Sequence, residues 1–316
     1  MPVPRVADTF KGAVSRVTIG ATAEEGGTRT TTVTVGGASN VVYGGDPGKL
    51  GEKPVIAVDV PDSAPQDWPE ALAGQYKDVF DDPAAWAKKA ADEYGADVIC
   101  LKFDGIHPDK GDLDADHAVK VTRDVLAAVG VPLILWGSGN DAKDNQVMPK
   151  VSEAAKGQNC LIGTVTEDNY KSLTAIALAD SHKLITEAPL DINIGKQVNI
   201  LVSDMGYPLA NIVTFQSTGA LGYGIEYSYS IQERQRLATL GGDKMMAMPS
   251  IVDVGNEAWR TREAKSDAPD WGPAEARGPM WEAATAIVLL QSGTDIIRLR
   301  HPRAVATVKN FIKEMW

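Results

Sequence analysis

Val55-Ile-Ala-Val-Asp59, Val98-Ile-Cys-Leu-Lys102, Pro132-Leu-Ile-Leu-Trp136 and Cys160-Leu-Ile-Gly163 open the series of short apolar runs that decides the fold. Lys183-Leu-Ile-Thr186, Asn211-Ile-Val-Thr-Phe215, Pro249-Ser-Ile-Val-Asp253 and Asp295-Ile-Ile-Arg-Leu299 bring the series to eight. Each run lacks strict alternation, as expected of strands buried on both faces of a parallel sheet. Each ends in a polar or Gly-rich loop and is followed by a helix-like stretch. Eight such units in order are the arithmetic of an α/β fold of the (β/α)8 barrel type. In that architecture function sits in the loops after the strands.

The bulk properties narrow the classes. The chain has 316 residues and a net charge of −11. An acidic surface argues against nucleic acid as a partner, because phosphate binding needs a basic field. No apolar run reaches the roughly 18–20 residues of a membrane-spanning helix. Met1-Pro-Val-Pro-Arg5 lacks the apolar core of a secretory signal. Cys100 and Cys160 are the only cysteines. Both fall within predicted strands, which fits buried free thiols in a reducing cytoplasm. Two scattered cysteines cannot ligate an iron–sulfur cluster, and His107, His117, His182 and His301 are too dispersed for a zinc pattern. The expectation is a chain that holds no metal with its own side chains.

Residues 13–36 differ from the rest. Val14-Ser-Arg-Val-Thr-Ile19 and Thr30-Thr-Thr-Val-Thr-Val35 alternate polar and apolar residues around Glu25-Gly-Gly-Thr28. This predicts a β-hairpin with one wet face that plugs or flanks the bottom of the barrel. The domain division follows: residues 1–50 as an N-terminal hairpin extension, joined through Gly44-Gly-Asp-Pro-Gly48, and residues 51–316 as the barrel. Helices are expected over Pro83–Tyr94, with Asp82 as cap and Pro83 at the first position, and over Asp114–Val129. Others are expected over Met148–Lys156, Tyr170–Ala179, Lys196–Met205, Ser230–Leu240, Met280–Gln291 and Arg303–Met315. The stretch from Glu257 to Gly278 reads as a long loop rich in charge, Pro and Gly.

The strand ends deliver a polar set. In order they are Asp59 and Asp62; Lys102, Asp104 and His107; Gly137-Ser-Gly-Asn140; Thr164, Thr166 and Asn169; Asp191 and Asn193; Gln216 to Thr218 with Gly219-Ala-Leu-Gly-Tyr-Gly224; Asp253, Gly255, Asn256 and Glu257; Arg298, Arg300 and His301. Asp59 and Asp253 are read either as helix caps or as partners of Lys102 or Arg298 in a polar barrel layer. Gly137-Ser-Gly-Asn140 is read either as an amide cradle for a phosphate or amide-bearing ligand or as a tight turn. Asp191 is an N-cap that also stands where a ligand would face it. His107 reads as exposed and His301 as the start of the last helix. Gly219, Gly222 and Gly224 permit φ > 0 and close approach of something flat and bulky. Trp86 and Trp281 read as core, while Trp259 and Trp271 read as exposed anchors on the long loop. No nucleophile elbow, Walker loop or dinucleotide fingerprint is present.

Read as whole phrases, the chain resembles the small subunit of the corrinoid iron–sulfur protein, the relative of the archaeal acetyl-CoA decarbonylase/synthase delta subunit. The phrases are Gly20-Ala-Thr-Ala-Glu-Glu-Gly-Gly-Thr-Arg29, Glu93-Tyr-Gly-Ala-Asp97, Pro189-Leu-Asp-Ile-Asn-Ile194, Leu221-Gly-Tyr-Gly-Ile-Glu-Tyr-Ser228 with Glu233-Arg234, Gly242-Asp-Lys-Met245 and Arg300-His-Pro302. The resemblance implies a heterodimer. A larger subunit carries the iron–sulfur cluster and a corrinoid, and the barrel of the small one covers the corrinoid. It also implies that the cobalt moves a methyl group from a methyltetrahydrofolate methyltransferase to acetyl-CoA synthase. Phe215-Gln216 departs from the family's Asp-Pro, and Gly137-Ser-Gly-Asn140 from its frequent Gly-Cys-Gly-Asp, so corrinoid hydrogen bonds at these two places are not implied.

On this reading the chain supplies no catalytic residue. The corrinoid is expected against the loops after the fifth, sixth and seventh runs, held by Asn193, Thr218, Gly219, Gly222, Tyr223, Gly224 and Asn256. The alternative is a self-sufficient pterin-dependent methyltransferase, in which Asp191, Asn193, Asp253 and Asn256 would hold the pterin.

Overall fold

The computed structural model describes residues 10–44, 49–219 and 221–316. Strands β1 (Arg16–Ile19) and β2 (Val33–Gly36) come first, and the barrel follows. Its strands are β3 (Val55–Pro61), β4 (Val98–Lys102), β5 (Leu133–Trp136), β6 (Leu161–Val165), β7 (Lys183–Glu187), β8 (Ile212–Phe215), β9 (Ile251–Asp253) and β10 (Ile296–Leu299). Around them lie α1 (Glu70–Ala73), α2 (Pro83–Asp92), α3 (Ala115–Ala128), α4 (Asp141–Ala154), α5 (Tyr170–Asp180) and α6 (Ile192–Asp204). The ring is completed by α7 (Ile225–Leu240), α8 (Val254–Arg260), α9 (Arg262–Lys265), α10 (Ala274–Gln291) and α11 (Pro302–Met315).

All eight barrel strands are parallel, in the order β8-β7-β6-β5-β4-β3-β10-β9. The ring closes where Thr214 bridges Ser250, and Thr214 N–H donates to the Pro249 carbonyl at 2.8 Å. The eight expected runs are the eight strands.

Period-two alternation sorts each strand into two apolar layers. Ile56, Val58 and Val60 point outward under the helices, as do Ile99, Leu101, Leu133 and Leu135. Ala57, Cys100, Ile134, Leu161, Ile185, Val213, Ile251 and Ile296 point inward. Val17, Ile19 and Val35 of the hairpin pack onto this inner layer, so the apolar face of the hairpin plugs the strands' N-terminal end. Asn159 and Arg29 fix it there: the Asn159 amide donates to Thr18 and Gly20 carbonyls, and the Arg29 guanidinium to Leu126 and Val129 carbonyls. Part of the expected linking loop, residues 45–48, lies outside the described residues.

The helices depart from expectation mainly at their starts. Helix α4 begins at Asp141, well before Met148, because the Asn140 side chain caps it by accepting from Lys143 N–H. Helix α6 begins at Ile192 under an Asp191 cap, α7 at Ile225 and α10 at Ala274. The expected long loop after β9 is mostly helical. Asp253 caps α8 at once, α9 and a short 3-10 turn at Pro269–Trp271 follow, and α10 has started by Gly278. Arg277 holds this excursion closed by donating to the carbonyls of Glu263, Ser266 and Gly272.

Candidate functional site

The inward parity that buries Ala57, Cys100, Ile134, Ile185, Val213, Ile251 and Ile296 brings the next inward residue of each strand to the mouth. Those residues are Asp59, Lys102, Trp136, Glu187, Phe215, Asp253 and Arg298. One side of this layer is an ion cluster. Arg298 Nε donates to Asp59 Oδ1 at 2.9 Å, and its Nη1 lies 3.1 Å from Asp253 Oδ2. Arg300 Nε donates to Asp59 Oδ2 at 3.1 Å, and its Nη2 to Asn256 Oδ1 at 3.1 Å. The Arg298 guanidinium lies 4.0 Å from the centroid of the Trp136 ring, and that of Arg300 lies 5.0 Å from Trp68. Burial pushes the Asp253 carboxyl up, with Arg298 opposing. The reading of Asp59 and Asp253 as a polar layer is therefore what the fold builds, and Asp253 also caps α8. The Arg298 Nη1–Asp253 contact lacks hydrogen-bond geometry, and Nη2 is likewise buried without a hydrogen-bond partner among the described residues.

The other side of the layer is less tied. Lys102 Nζ donates to the Gly137 carbonyl at 2.5 Å and lies 3.9 Å from Asp104. Glu187 accepts from the Thr164 hydroxyl, and burial pushes its carboxyl up. Trp136 and Phe215 meet edge-to-face with centroids 5.0 Å apart. Glu187 is a residue that the sequence reading missed. The signal was present: it continues the parity of Ile185 one step past the run.

Behind the layer, Glu282 of α10 is fully buried. It accepts from Trp259 Nε1 at 2.7 Å and from the backbone N–H groups of Arg300 at 2.5 Å and His301 at 3.2 Å. Burial pushes its carboxyl up to about 7, against those bonds. Trp259 is thus core, not the expected exposed anchor, and stacks on His301 at 5.8 Å. Trp271 is exposed as expected, held between Arg262 and Arg277. His301 caps α11 by accepting from Arg303 N–H. His107 is half-buried and not exposed as expected; its Nδ1 accepts from Asp109 N–H.

The Gly137–Asn140 turn does not offer a free cradle. Asp144, from the first turn of α4, takes the N–H groups of Ser138 and Gly139 at 2.8 and 3.1 Å and the Ser138 hydroxyl at 2.7 Å. The chain's own carboxylate occupies the position of an anion.

The rim residues divide. Asn193 and Gly222 are exposed. Thr218 is buried and its hydroxyl oxygen accepts from Asp253 N–H at 2.8 Å. Gly219 N–H donates to the Ser228 hydroxyl oxygen. The Asn256 amide is spent on Glu257 and Arg300. Of the three glycines only Gly224 adopts left-handed φ, at +93°, as it starts α7. A Cβ at Gly222 would stand 2.6 Å from Glu263 Oε2, so its bareness gives room to α9. Tyr223 closes the turn Leu221–Tyr223, and its side chain and Ala220 lie outside the described residues. Glu226 to Tyr229 belong to α7, and Tyr227 is exposed. Leu190, after β7, is exposed with φ +49°.

Cys100 and Cys160 are buried free thiols, and desolvation pushes both up, Cys160 to about 12. Neither is a thiolate nucleophile at neutral pH. Among the described residues no group of three or more His, Cys, Asp or Glu is placed to hold a metal ion. None of the described helices is long and apolar enough to cross a membrane.

A plugged (β/α)8 barrel with a charge-compensated polar mouth is the class that this fold and site define. Solved dihydropteroate synthases share the fold. That of Stenotrophomonas maltophilia aligns with TM-score 0.57 at 13% identity over 85% of this chain and 97% of its own. The Yersinia pestis enzyme gives 0.56 at 12% over 83% and 93%. The sequence goes further: residues 16–298 match the profile of the CO dehydrogenase/acetyl-CoA synthase delta subunit family, and the chain belongs to that family. The acetyl-CoA decarbonylase/synthase complex subunit delta of Archaeoglobus fulgidus is 37% identical over 311 residues, covering 96% of this chain and 68% of that protein. The Methanopyrus kandleri subunit delta is 34% identical over 305 residues, covering 96% and 76%.

Proposed function

We propose that the chain is the small subunit of a heterodimeric corrinoid iron–sulfur methyl carrier, and that its barrel mouth covers the corrinoid bound by the large subunit. Family membership gives the setting, since its relatives are named as delta subunits of the acetyl-CoA decarbonylase/synthase complex. The observation that carries the mouth reading is a floor whose charges largely answer one another, Arg298 and Arg300 against Asp59 and Asp253. Such a floor presents little net charge to a large neutral ligand. A buried Arg298 Nη2 without a partner fits an amide carbonyl or a bridging water.

In this reading Asn193, Thr218, Gly219, Gly222, Tyr223, Gly224 and Asn256 line the cover. Bound there, the corrinoid's cobalt would supply the centre that takes and gives the methyl group. The chain's own residues exclude water and orient the ring's amides. Thr218 and Asn256 act less as free donors than as braces for the loops that carry Gly219 and Gly222. The iron–sulfur cluster would be on the large subunit. The donor would be a methyltetrahydrofolate methyltransferase, the acceptor acetyl-CoA synthase, and the compartment the cytoplasm.

The test is co-expression with the large subunit and the Gly222→Leu variant. Glu263 is the flexible end that must swing aside for the new side chain. Assembly should persist while corrinoid content and methyl-transfer rate fall sharply. A variant that keeps both overturns the reading. A colourless homodimer that binds methyltetrahydrofolate would support the self-sufficient methyltransferase instead.

A further inference from the structure

Between the loops that follow β3 and β4 lies a cavity of 490 Å3, walled by Pro61, Ala64, Pro65 and Leu113 and edged by Asp104 and Lys110. Small-molecule pockets run from about 300 to 1,000 Å3, apolar for the most part with a few placed polar groups. The backbone fixes the shape of this one. Asp62 N–H donates to the Lys102 carbonyl at 2.9 Å, Gly105 N–H to Asp62 Oδ1 at 2.6 Å, and Leu113 N–H to the Gly105 carbonyl at 3.0 Å. The two loops meet at Gly105, where a Cβ would stand 2.7 Å from Ser63 Oγ. In the closed ring β3 and β4 stand opposite β7 and β8. The pocket is therefore across the mouth from the loops read as the corrinoid's cover.

One carboxylate and one lysine give the pocket its polar edge. Asp104 Oδ1 accepts from Lys110 Nζ at 2.9 Å and lies 3.9 Å from Lys102 Nζ. Burial alone would raise the Asp104 carboxyl, yet Lys102 and Lys110 hold it below the ordinary carboxylate range. Ionised, it can only accept. Its Oδ2 takes no hydrogen bond among the described residues. Lys110, its side chain 54% exposed, spends one of its three N–H donors on Asp104 and keeps the others. A free acceptor thus stands beside free donors on one side of an apolar pocket.

Charge and shape select the ligand. An anion would meet Asp67, Asp104 and Asp109, and a cation would meet Lys110 with Lys102 behind Asp104. A neutral group answers both when its carbonyl takes a Lys110 N–H and its adjoining N–H donates to Asp104 Oδ2. That pairing is the edge of a cyclic amide. Pro61, Pro65 and Leu113 offer apolar surface to the ring that carries it. We propose that this pocket is a binding site for a flat heterocycle with a cyclic-amide edge, the edge that uracil and guanine present. Its ligand is distinct from the corrinoid, so the site stands whether or not the mouth covers one.

The experiment is calorimetric titration of the full chain with uridine and guanosine, and with 3-methyluridine and 1-methylguanosine, in which the ring N–H is blocked. Uridine or guanosine should bind, and its N-methylated form should bind about tenfold more weakly, the size of one hydrogen bond to a charged group. Uridine alone reports a one-ring ligand, and guanosine alone a fused-ring one; both outcomes support the site. Asp104→Asn and Lys110→Met should each weaken the same titration about tenfold, with thermal melts to confirm folding. Lys110→Met, at an exposed side chain, carries the test if Asp104→Asn does not fold. Absence of binding by both nucleosides at millimolar concentration overturns the proposal. Equal binding of the methylated forms overturns it as well, since the ring N–H would then face no carboxylate. So does unchanged binding in both variants, which puts the nucleoside elsewhere on the chain.

Discussion

Glu282→Gln separates the two demands that the mouth's foundation makes on one carboxyl. Glu282 has no contact with solvent, and its two oxygens take the Trp259 indole N–H and the backbone N–H groups of Arg300 and His301. Burial holds its pKa at about 7 instead of its ordinary 4.5. Below pH 4.5 the folded and unfolded chains both carry the proton. Between 4.5 and 7 the unfolded chain releases it and the folded chain keeps it, so stability falls as pH rises. At about 1.4 kcal/mol per pH unit, the loss across that window is roughly 3 kcal/mol. Above pH 7 it levels off.

Gln has the same shape and no titration, and it turns one acceptor into an N–H₂ facing a donor, which costs about 1–3 kcal/mol. Urea unfolding followed by Trp fluorescence, at pH 4.5 and 7.5, gives the difference between the two proteins. Every other titrating group is common to both and cancels. The balance should move toward the Gln variant by roughly 3 kcal/mol between the two pH values. A difference that stays constant within about 1 kcal/mol refutes the claim that burial dominates this carboxyl.

Other outcomes follow from the same geometry. Arg298→Met leaves Asp59 and Asp253 buried without their main counter-charge and should cost about 3–5 kcal/mol by urea unfolding, partly recovered in Arg298→Met/Asp253→Leu. Asp144→Ala frees the Ser138 and Gly139 amides that its carboxylate occupies and should lower stability by about 2–3 kcal/mol. Native chain should leave Cys100 and Cys160 unlabelled by a thiol reagent, and both should react once it is unfolded in urea; rapid labelling of the native chain would contradict their burial.

The strand set was legible because a parallel barrel buries both faces of every strand, which forces continuous apolar runs that survive in any surrounding sequence. The hairpin was legible for the opposite reason: its wet face imposes alternation from Val14 to Val35. Helix starts were less so. The apolar stripe appears only once a helix meets the barrel, whereas the starts are set by local features: a polar first turn capped by Asn140 in α4, the Asp191 cap of α6, and the left-handed Gly224 before α7. The stretch after β9 reads as a loop because Pro, Gly and charge dominate it. Its helices hold through contacts that join residues well apart in it, such as Arg277 on three carbonyls, and through Trp259 on Glu282 of α10.

The site was legible as a set of strand-end residues and not as an arrangement, and the reason bears on function. Sequence order says that Asp59, Asp253, Arg298 and Arg300 arrive at one mouth. It does not say that they spend their charge on one another, because the pairs are brought together by β3, β9 and β10 across most of the chain's length. The same holds for Asp144, which fills the turn that looked ready for a phosphate, and for Glu263, which fills the clearance over Gly222. Each of these internal pairings removes a group that a self-sufficient enzyme would use on substrate. Among the described residues, Asn193, Leu190, Gly222 and Tyr227 are exposed at the rim; beneath it Lys102 and Glu187 are partly exposed, and Arg298 is buried with its charge incompletely answered. On the proposed reading, a mouth so composed would hold a ligand by its edges and amides and leave reaction to the ligand itself, the division of labour expected when the reactive metal is carried by a partner.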